Sequence, residues 1–151
     1  LKTELSGKGF NMENNNIFRS INTNLSREDI SMLSPLQLAY IGDAVYELLV
    51  RTYLLNIGLN VNELHKTATK YVKSKAQADI THSIEEILTD EEKSYIKRGR
   101  NAKIHSSPKN ADILEYKYAT GFECLFGYLF LTGEDLRMKE IFDRITALDI
   151  K

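Results

Sequence analysis

Apolar residues recur every three or four positions along most of the 151-residue chain, and a period of two is nowhere sustained. The pattern predicts helices and an all-α domain. Its longest stretch covers residues 35–56. Ser34, Pro35 and Gln37 supply an N-cap, an N1 proline and an N3 partner, and Gly58 supplies a stop. Helical spacing returns over 61–80, with a short helix expected at 83–88. Thr89-Asp90-Glu91-Glu92 is a second capping-box pattern, opening a helix towards Arg98. An apolar helix spans 111–131 up to Gly133, and an amphipathic one spans 134–147. A short turn of helix is expected at 25–31. Residues 1–24 are rich in Asn, Gly and Ser and have no apolar period. They read as a flexible lead-in, with a cloning remnant as one source of part of it. Residues 25–151 form the folded unit.

Composition narrows the class without naming a chemistry. The length suits one domain with one core, and 42% hydrophobic with 27% charged residues is ordinary for a globular protein. The single cysteine, Cys124, excludes an internal disulfide and a cysteine-based zinc site; set in an apolar run, it reads as a core thiol in a reducing compartment. No apolar run is long and clean enough to span a bilayer, because 121–132 contains Glu123. No signal-peptide core opens the chain. The expectation is a cytoplasmic protein with no membrane partner. His65, His82 and His105 lack metal-ligand spacing, and the chain has no Gly-rich phosphate loop and no G-x-S-x-G.

Two carboxylates stand out against this background. Asp43 lies in the middle of LQLAYIGDAVYELLV, a stretch read as a buried helix, where Leu36, Tyr40, Asp43 and Glu47 form one stripe. Glu123 is the one acid in YATGFECLFGYLFLTG, on a stripe with Tyr116, Thr120 and Gly127. An ionised acid in an apolar helix needs a cation or donors. If the two helices pack side by side, Asp43 and Glu123 converge and repel, and Mg²⁺ relieves that conflict because it prefers oxygen ligands and keeps waters. The plainer alternative stays open: each acid can be partly exposed or hydrogen-bonded, and Glu47 reads better as a solvated or interface residue.

Charge is also polarised. Residues 65–75 carry Lys66, Lys70, Lys73 and Lys75 with no acid, and 93–109 carry Lys93, Lys97, Arg98, Arg100, Lys103 and Lys109 with His105 and no acid. The stretch 98–110 is broken by Gly99 and Pro108 and reads as a basic loop. Such cations suit a phosphate backbone, and the shallow minor groove of double-stranded RNA is read by shape and phosphates. For 65–75 a solvated helix face is an equal alternative.

LAYIGDAVYELLV resembles the signature helix of the ribonuclease III family, ERLEFLGDSVL, and ATGFECLFGYLFLTG resembles its second acidic motif, DTxEALIGAIYLD. The likeness covers residue 25 to the end. The length, which leaves no room for the family's double-stranded-RNA-binding domain, and the words YIGDAVYE and RGRNAK are similar to the Mini-III branch. The resemblance implies an endoribonuclease that cuts double-stranded RNA to 5′-phosphate and 3′-hydroxyl ends. It implies Mg²⁺, with Mn²⁺ as a substitute, held by Asp43 and Glu123 as catalytic and metal-binding residues. It further implies a 23S rRNA precursor as substrate and a homodimer with Tyr40 at its interface. The RNA-facing set is Lys66, Lys70, Lys73, Arg98, Arg100, Asn101 and Lys103. Two family acids are missing, replaced here by Ala39 and Thr120, which leaves the number of metal ions open. Two other readings remain: a non-catalytic, ribosome-associated RNA-binding scaffold on this fold, and a helical interaction domain with no RNA role.

Overall fold

The computed structural model describes residues 16–21, 25–103 and 112–150. Eight α-helices are described: α1 (Ile17–Ser20), α2 (Arg27–Met32), α3 (Pro35–Leu54), α4 (Val61–Val72), α5 (Ser74–Ile84), α6 (Asp90–Arg100), α7 (Ile113–Leu131) and α8 (Asp135–Thr146). Two 3-10 turns, Leu55–Ile57 and Glu85–Ile87, join them, and no strand occurs among the described residues. The all-α expectation holds. No helix among the described residues is long and apolar enough to cross a membrane.

Helix α7 is the centre, because it is apolar on every side. From Ala119 to Phe130 every residue is buried except Glu123, which is half-buried. Helices α3, α5 and α6 surround it. Helix α3 starts as its sequence dictates: Ser34 Oγ accepts from Gln37 N, and the Gln37 side chain accepts from Ser34 N. It buries Leu38, Gly42, Tyr46, Val50 and Leu54, a strict four-residue spacing. Its other face, with Leu36, Tyr40, Asp43 and Leu48, is exposed, so α3 is not the fully buried helix its apolar content suggests. Apolar residues line both of its faces, and composition alone does not say which face the core takes.

Glycine sets how near the helices approach α7. A Cβ at Gly42 would collide with the Glu123 carbonyl, and one at Gly127 with the Leu38 carbonyl, so α3 and α7 cross backbone to backbone. Gly99 does the same for α6, where a Cβ would sit 2.6 Å from the Gly121 Cα. This corrects the loop expected from residue 98. Gly99 is a helix-crossing residue and Arg98 and Arg100 are helical, while 104–111 lie outside the described residues.

The helix expected over 61–80 is two helices. It breaks at Lys73, whose backbone is extended (ψ 151°). The break lets α5 turn Ala76, Gln77, Ile80 and Ile84 inwards. It also frees the Tyr71 carbonyl from a helical i+4 partner, and the buried Tyr46 hydroxyl donates to that carbonyl at 3.1 Å. The Tyr46 ring packs edge-on to Phe122 at 4.7 Å. The expected short helix at 83–88 is divided instead between the end of α5 and the turn Glu85–Ile87.

Two ion pairs pin the periphery. Buried Glu92 closes the capping box of α6 and receives Arg137 of α8 at 2.8 Å through Nη2, which also donates to Ile87 O. Residues 16–21 dock on the far side: Arg19 donates to Phe130 O and to both carboxylate oxygens of Asp135.

Candidate active site

The crossing of α3 and α7 brings Asp43 and Glu123 to one cleft. Its volume is about 470 Å³, and Leu36, Ala39, Tyr40, Ile41, Asp43, Ala44, Tyr116, Thr120 and Glu123 line it. The two acids are 80 residues apart in sequence and are joined by the glycine contact: Gly42 precedes Asp43 and rests on the backbone of Glu123. Both positions singled out from the sequence therefore meet, as the parallel between the two helices predicts.

The electrostatics of the cleft are unfavourable to two bare carboxylates. Burial pushes the Glu123 carboxyl up to about 8, and the charge of Asp43 adds to the shift. Asp43, at the exposed mouth, is raised by partial burial and by Glu47 one turn on. Glu123, the deeper member, therefore keeps its proton to a higher pH than an ordinary glutamate. Among the described residues, no basic side chain lines the cleft. Glu47 is drawn away by Arg51, which donates to it at 2.7 Å. Thr120, at the position of a family acid, spends its hydroxyl proton on Tyr116 O at 3.0 Å, leaving its oxygen lone pairs towards other partners. No group of three or more His, Cys, Asp or Glu able to hold a metal occurs among the described residues. The donor set is therefore two carboxylates and neutral oxygens, which suits Mg²⁺, an ion that binds through one or two carboxylates and retains waters.

One residue at this site escaped the sequence reading. Gln77, on α5, is 1% exposed. Its side chain lies beside Glu123 and favours the ionised carboxylate, yet its Nε2 makes no hydrogen bond of proper geometry. The sequence carries no signal for it, because a lone amide among the alanines of KAQADI breaks no helical rule.

The expected RNA-facing residues fall into two groups. Lys66 and Lys70 are exposed on α4, and Lys73 is exposed at the break before α5. Lys70 and Lys73 border a separate 330 Å³ pocket with Lys75 and Asp79. In the second group Asn101 and Lys103 are exposed just past α6. Arg100 lies over Tyr118, with its guanidinium 5.5 Å from the ring centroid, and Nη1 reaches the Tyr118 hydroxyl at 3.3 Å. Arg98 differs: it is half-buried, donates to Leu33 O at 2.9 Å and covers the Tyr95 ring. Of the histidines, His65 and His82 are at the surface, His82 against Tyr118 at 4.4 Å, and His105 lies outside the described residues. Cys124 is a fully buried core thiol, raised by burial to about 12. Tyr40, on the rim of the cleft, is 83% exposed.

Comparison with known proteins bears on this cleft. The family profile described as "Ribonuclease III domain" matches residues 36–134, from the start of α3 to the turn before α8. The chain is similar to Mini-ribonuclease 3 of Thermoanaerobacter sp., 49% identical over 120 residues, covering 79% of this chain and 84% of that protein. It is similar to Mini-ribonuclease 3 of Clostridium tetani, 46% identical over 125 residues (82% and 83%). A third relative of that name, from Brevibacillus brevis, is 47% identical over 121 residues (80% and 90%). A crystal structure of a Fusobacterium nucleatum protein superposes with a TM-score of 0.71 at 33% identity, covering 78% of this chain and 95% of that one.

Proposed function

The chain belongs to the ribonuclease III family and, within it, to the Mini-ribonuclease 3 group, and from that premise we propose a Mg²⁺-dependent endoribonuclease that cuts double-stranded RNA at the Asp43–Glu123 cleft. An endoribonuclease of the ribonuclease III type is the coarser statement, and it rests on the family alone. The observation that carries the finer reading is the meeting of two carboxylates in one cleft that no basic side chain of the described residues lines. Mn²⁺ would substitute for Mg²⁺, since both accept oxygen ligands.

Asp43 and Glu123 would hold the ion from opposite helices. Bound there, it would activate a water and neutralise the charge that builds on the phosphate. The chain supplies the frame: the glycine crossing fixes the separation of the two acids, and Ala39 and Thr120 leave the cleft free of further charge. Water adds to phosphorus, the P–O3′ bond breaks, and the 3′ oxygen takes the proton. The products carry a 5′-phosphate and a 3′-hydroxyl. No side-chain nucleophile is needed.

The duplex would be gripped by Lys66, Lys70 and Lys73 on one side and by Arg100, Asn101 and Lys103 on the other. Lys73 starts the helix that carries Gln77, so this basic corner is about 6 Å along α5 from the residue beside Glu123. A homodimer would place two such clefts on the two strands of a duplex. In its support, α3 exposes Leu36, Tyr40 and Leu48, and an apolar cavity of 660 Å³ opens beside it, walled by Ile41, Val45, Leu49 and Phe142. The natural substrate in this reading is a 23S rRNA precursor, met in the cytoplasm.

The test is cleavage of a long RNA duplex with Mg²⁺ by the wild type, Asp43→Asn and Glu123→Gln, with duplex binding measured alongside. Cutting by the wild type, with both variants binding but not cutting, is the expected result. A wild type that binds duplex and never cuts it with Mg²⁺ or Mn²⁺ would replace the enzyme with an RNA-binding scaffold.

A further inference from the structure

Among the described residues, Gln77 Nε2 is the buried side-chain polar atom left without a proper partner. An unpartnered amide in a core is destabilising, because its lost hydration is not replaced. A methionine or leucine would fill the same space without that penalty. The amide nevertheless stands beside the Glu123 carboxylate, on a helix whose register is fixed on both sides: Gln77 N donates to Lys73 O, and Thr81 Oγ1 donates to Gln77 O. The carbonyl end of an amide repels a carboxylate, so the nitrogen is the end that can serve there.

We propose that Gln77 is a positioning residue for Glu123, donating from Nε2 to the inner carboxylate oxygen so that the outer oxygen faces Asp43 and a divalent cation. The inference rests on the reading of Asp43 and Glu123 as a metal-binding pair. Oriented carboxylates bind a metal more tightly than free ones, because less motion is lost on binding and the second oxygen is already satisfied. In this enzyme the need is acute. The two acids usually supplied by the family are Ala39 and Thr120, so each remaining carboxylate carries more of the ion's coordination.

The experiment compares the wild type, Gln77→Met, Glu123→Gln and the double variant. Mn²⁺ affinity is read by electron paramagnetic resonance on the RNA-free protein, together with thermal stability and the kcat and KM for duplex cleavage. Gln77→Met is expected to weaken Mn²⁺ binding about tenfold. It is expected to lower kcat with KM for duplex unchanged, and to leave the melting temperature equal or higher. In the Glu123→Gln background it should add no further loss of Mn²⁺ affinity, because Gln77 acts through Glu123. If Gln77→Met melts lower and binds Mn²⁺ as the wild type does, Gln77 is a packing residue and the inference is overturned while the metal pair stands. Wild-type protein that binds no Mn²⁺, or binds it equally after Glu123→Gln, overturns both.

Discussion

Gly42 of α3 rests directly on the carbonyl oxygen of Glu123 in α7, with no room for a methyl group between them. This contact does two things at once. It closes the crossing that buries Tyr46 and Phe122 against each other, and it sets how far apart Asp43 and Glu123 stand. Fold and site are therefore coupled at one glycine. Gly42→Ala is expected to destabilise by about 1–3 kcal/mol through overpacking. Cleavage should fall further than the folded fraction does, since the carboxylates are pushed apart. Gly127→Ala should behave alike, because its methyl would meet the Leu38 carbonyl. Gly58→Ala is the control: it has a φ of +77° but nothing within 4 Å, so only backbone strain of about 1 kcal/mol is expected. Urea unfolding of the three variants, with cleavage rates under folding conditions, checks this.

The raised carboxyl of Glu123 makes the metal-free protein sensitive to pH in a particular direction. Unfolded, the group titrates near 4.5; folded, burial and Asp43 hold it near 8. Between those values the folded chain keeps a proton that the unfolded chain has released. Stability contributed by this group is full below 4.5 and is lost as pH rises through the window, by about 3 kcal/mol at neutral pH. Glu123→Gln should remove the slope and stabilise the metal-free protein at neutral pH. Mg²⁺ favours the ionised form and should flatten the profile of the wild type. Urea midpoints across this range, in chelator and in Mg²⁺, read all three effects. A wild-type profile that rises with pH over the window would contradict the placement of Glu123.

Glu92 gives the opposite sign. Burial alone would raise its carboxyl, but the Arg137 guanidinium and the Thr89 cap overcome this and hold it below its usual range. Its contribution is present above its unfolded pKa, near 4.5, and is lost as pH falls through the lower folded value. Arg137→Ala strands a buried carboxylate and is expected to cost about 3–5 kcal/mol, without touching the cleft. Glu92→Gln in the Arg137→Ala background should recover part of that loss. Denaturation curves of the single and double variants check both.

The sequence made much of this legible and hid the rest for identifiable reasons. Ser34 with Gln37 and Thr89 with Glu92 cap their helices as the pattern predicts, because a capping box is a local arrangement needing no tertiary help. Asp43 and Glu123 were visible because a lone acid in an apolar helix stands out. Gln77 was not, because an uncharged amide among alanines breaks no helical rule; only its burial gives it meaning. The break at Lys73 was hidden too. Nothing in the local run TKYVKSKAQ forbids a continuous helix, and the Tyr71 carbonyl it frees is met by Tyr46, 25 residues away. Gly99 reads as a loop residue from sequence because glycine serves both a loop and a close helix crossing, and only Gly121 on α7 decides between them.

The helix that runs through Gly99 separates two arginines that the sequence groups together. Arg98 donates to Leu33 O and covers Tyr95, which itself stacks on Tyr128 at 3.8 Å. Arg98→Ala is expected to cost stability, about 1–2 kcal/mol, from the lost hydrogen bond and cation–π contact. Its effect on duplex affinity should be small. Lys103→Ala should do the reverse, leaving stability nearly unchanged and weakening duplex binding at low salt, and Arg100→Ala should weaken binding likewise while also losing its contacts with Tyr118. Each should also flatten the slope of log affinity against log salt by about one ion. Binding isotherms at several salt concentrations, set beside melting curves, distinguish the two kinds of arginine.

The exposed α3 face supplies the last prediction. Tyr40 is 83% exposed and Leu48 is 58% exposed, an unusual outlay of apolar surface for a helix that also builds the core. Tyr40 is on the rim of the cleft, and Leu48 lines the neighbouring apolar cavity. If a second copy covers this face, a charge at Leu48 should dissociate the pair without disturbing the core of either protomer. Leu48→Glu is expected to sediment as a monomer at concentrations where the wild type is a dimer, with an unchanged helical spectrum. Cleavage of duplex should then fall through loss of affinity, because only one set of basic residues would be left to hold the duplex. A Leu48→Glu protein that remains dimeric would place the interface elsewhere, and Tyr40→Ala would then be expected to leave assembly untouched as well.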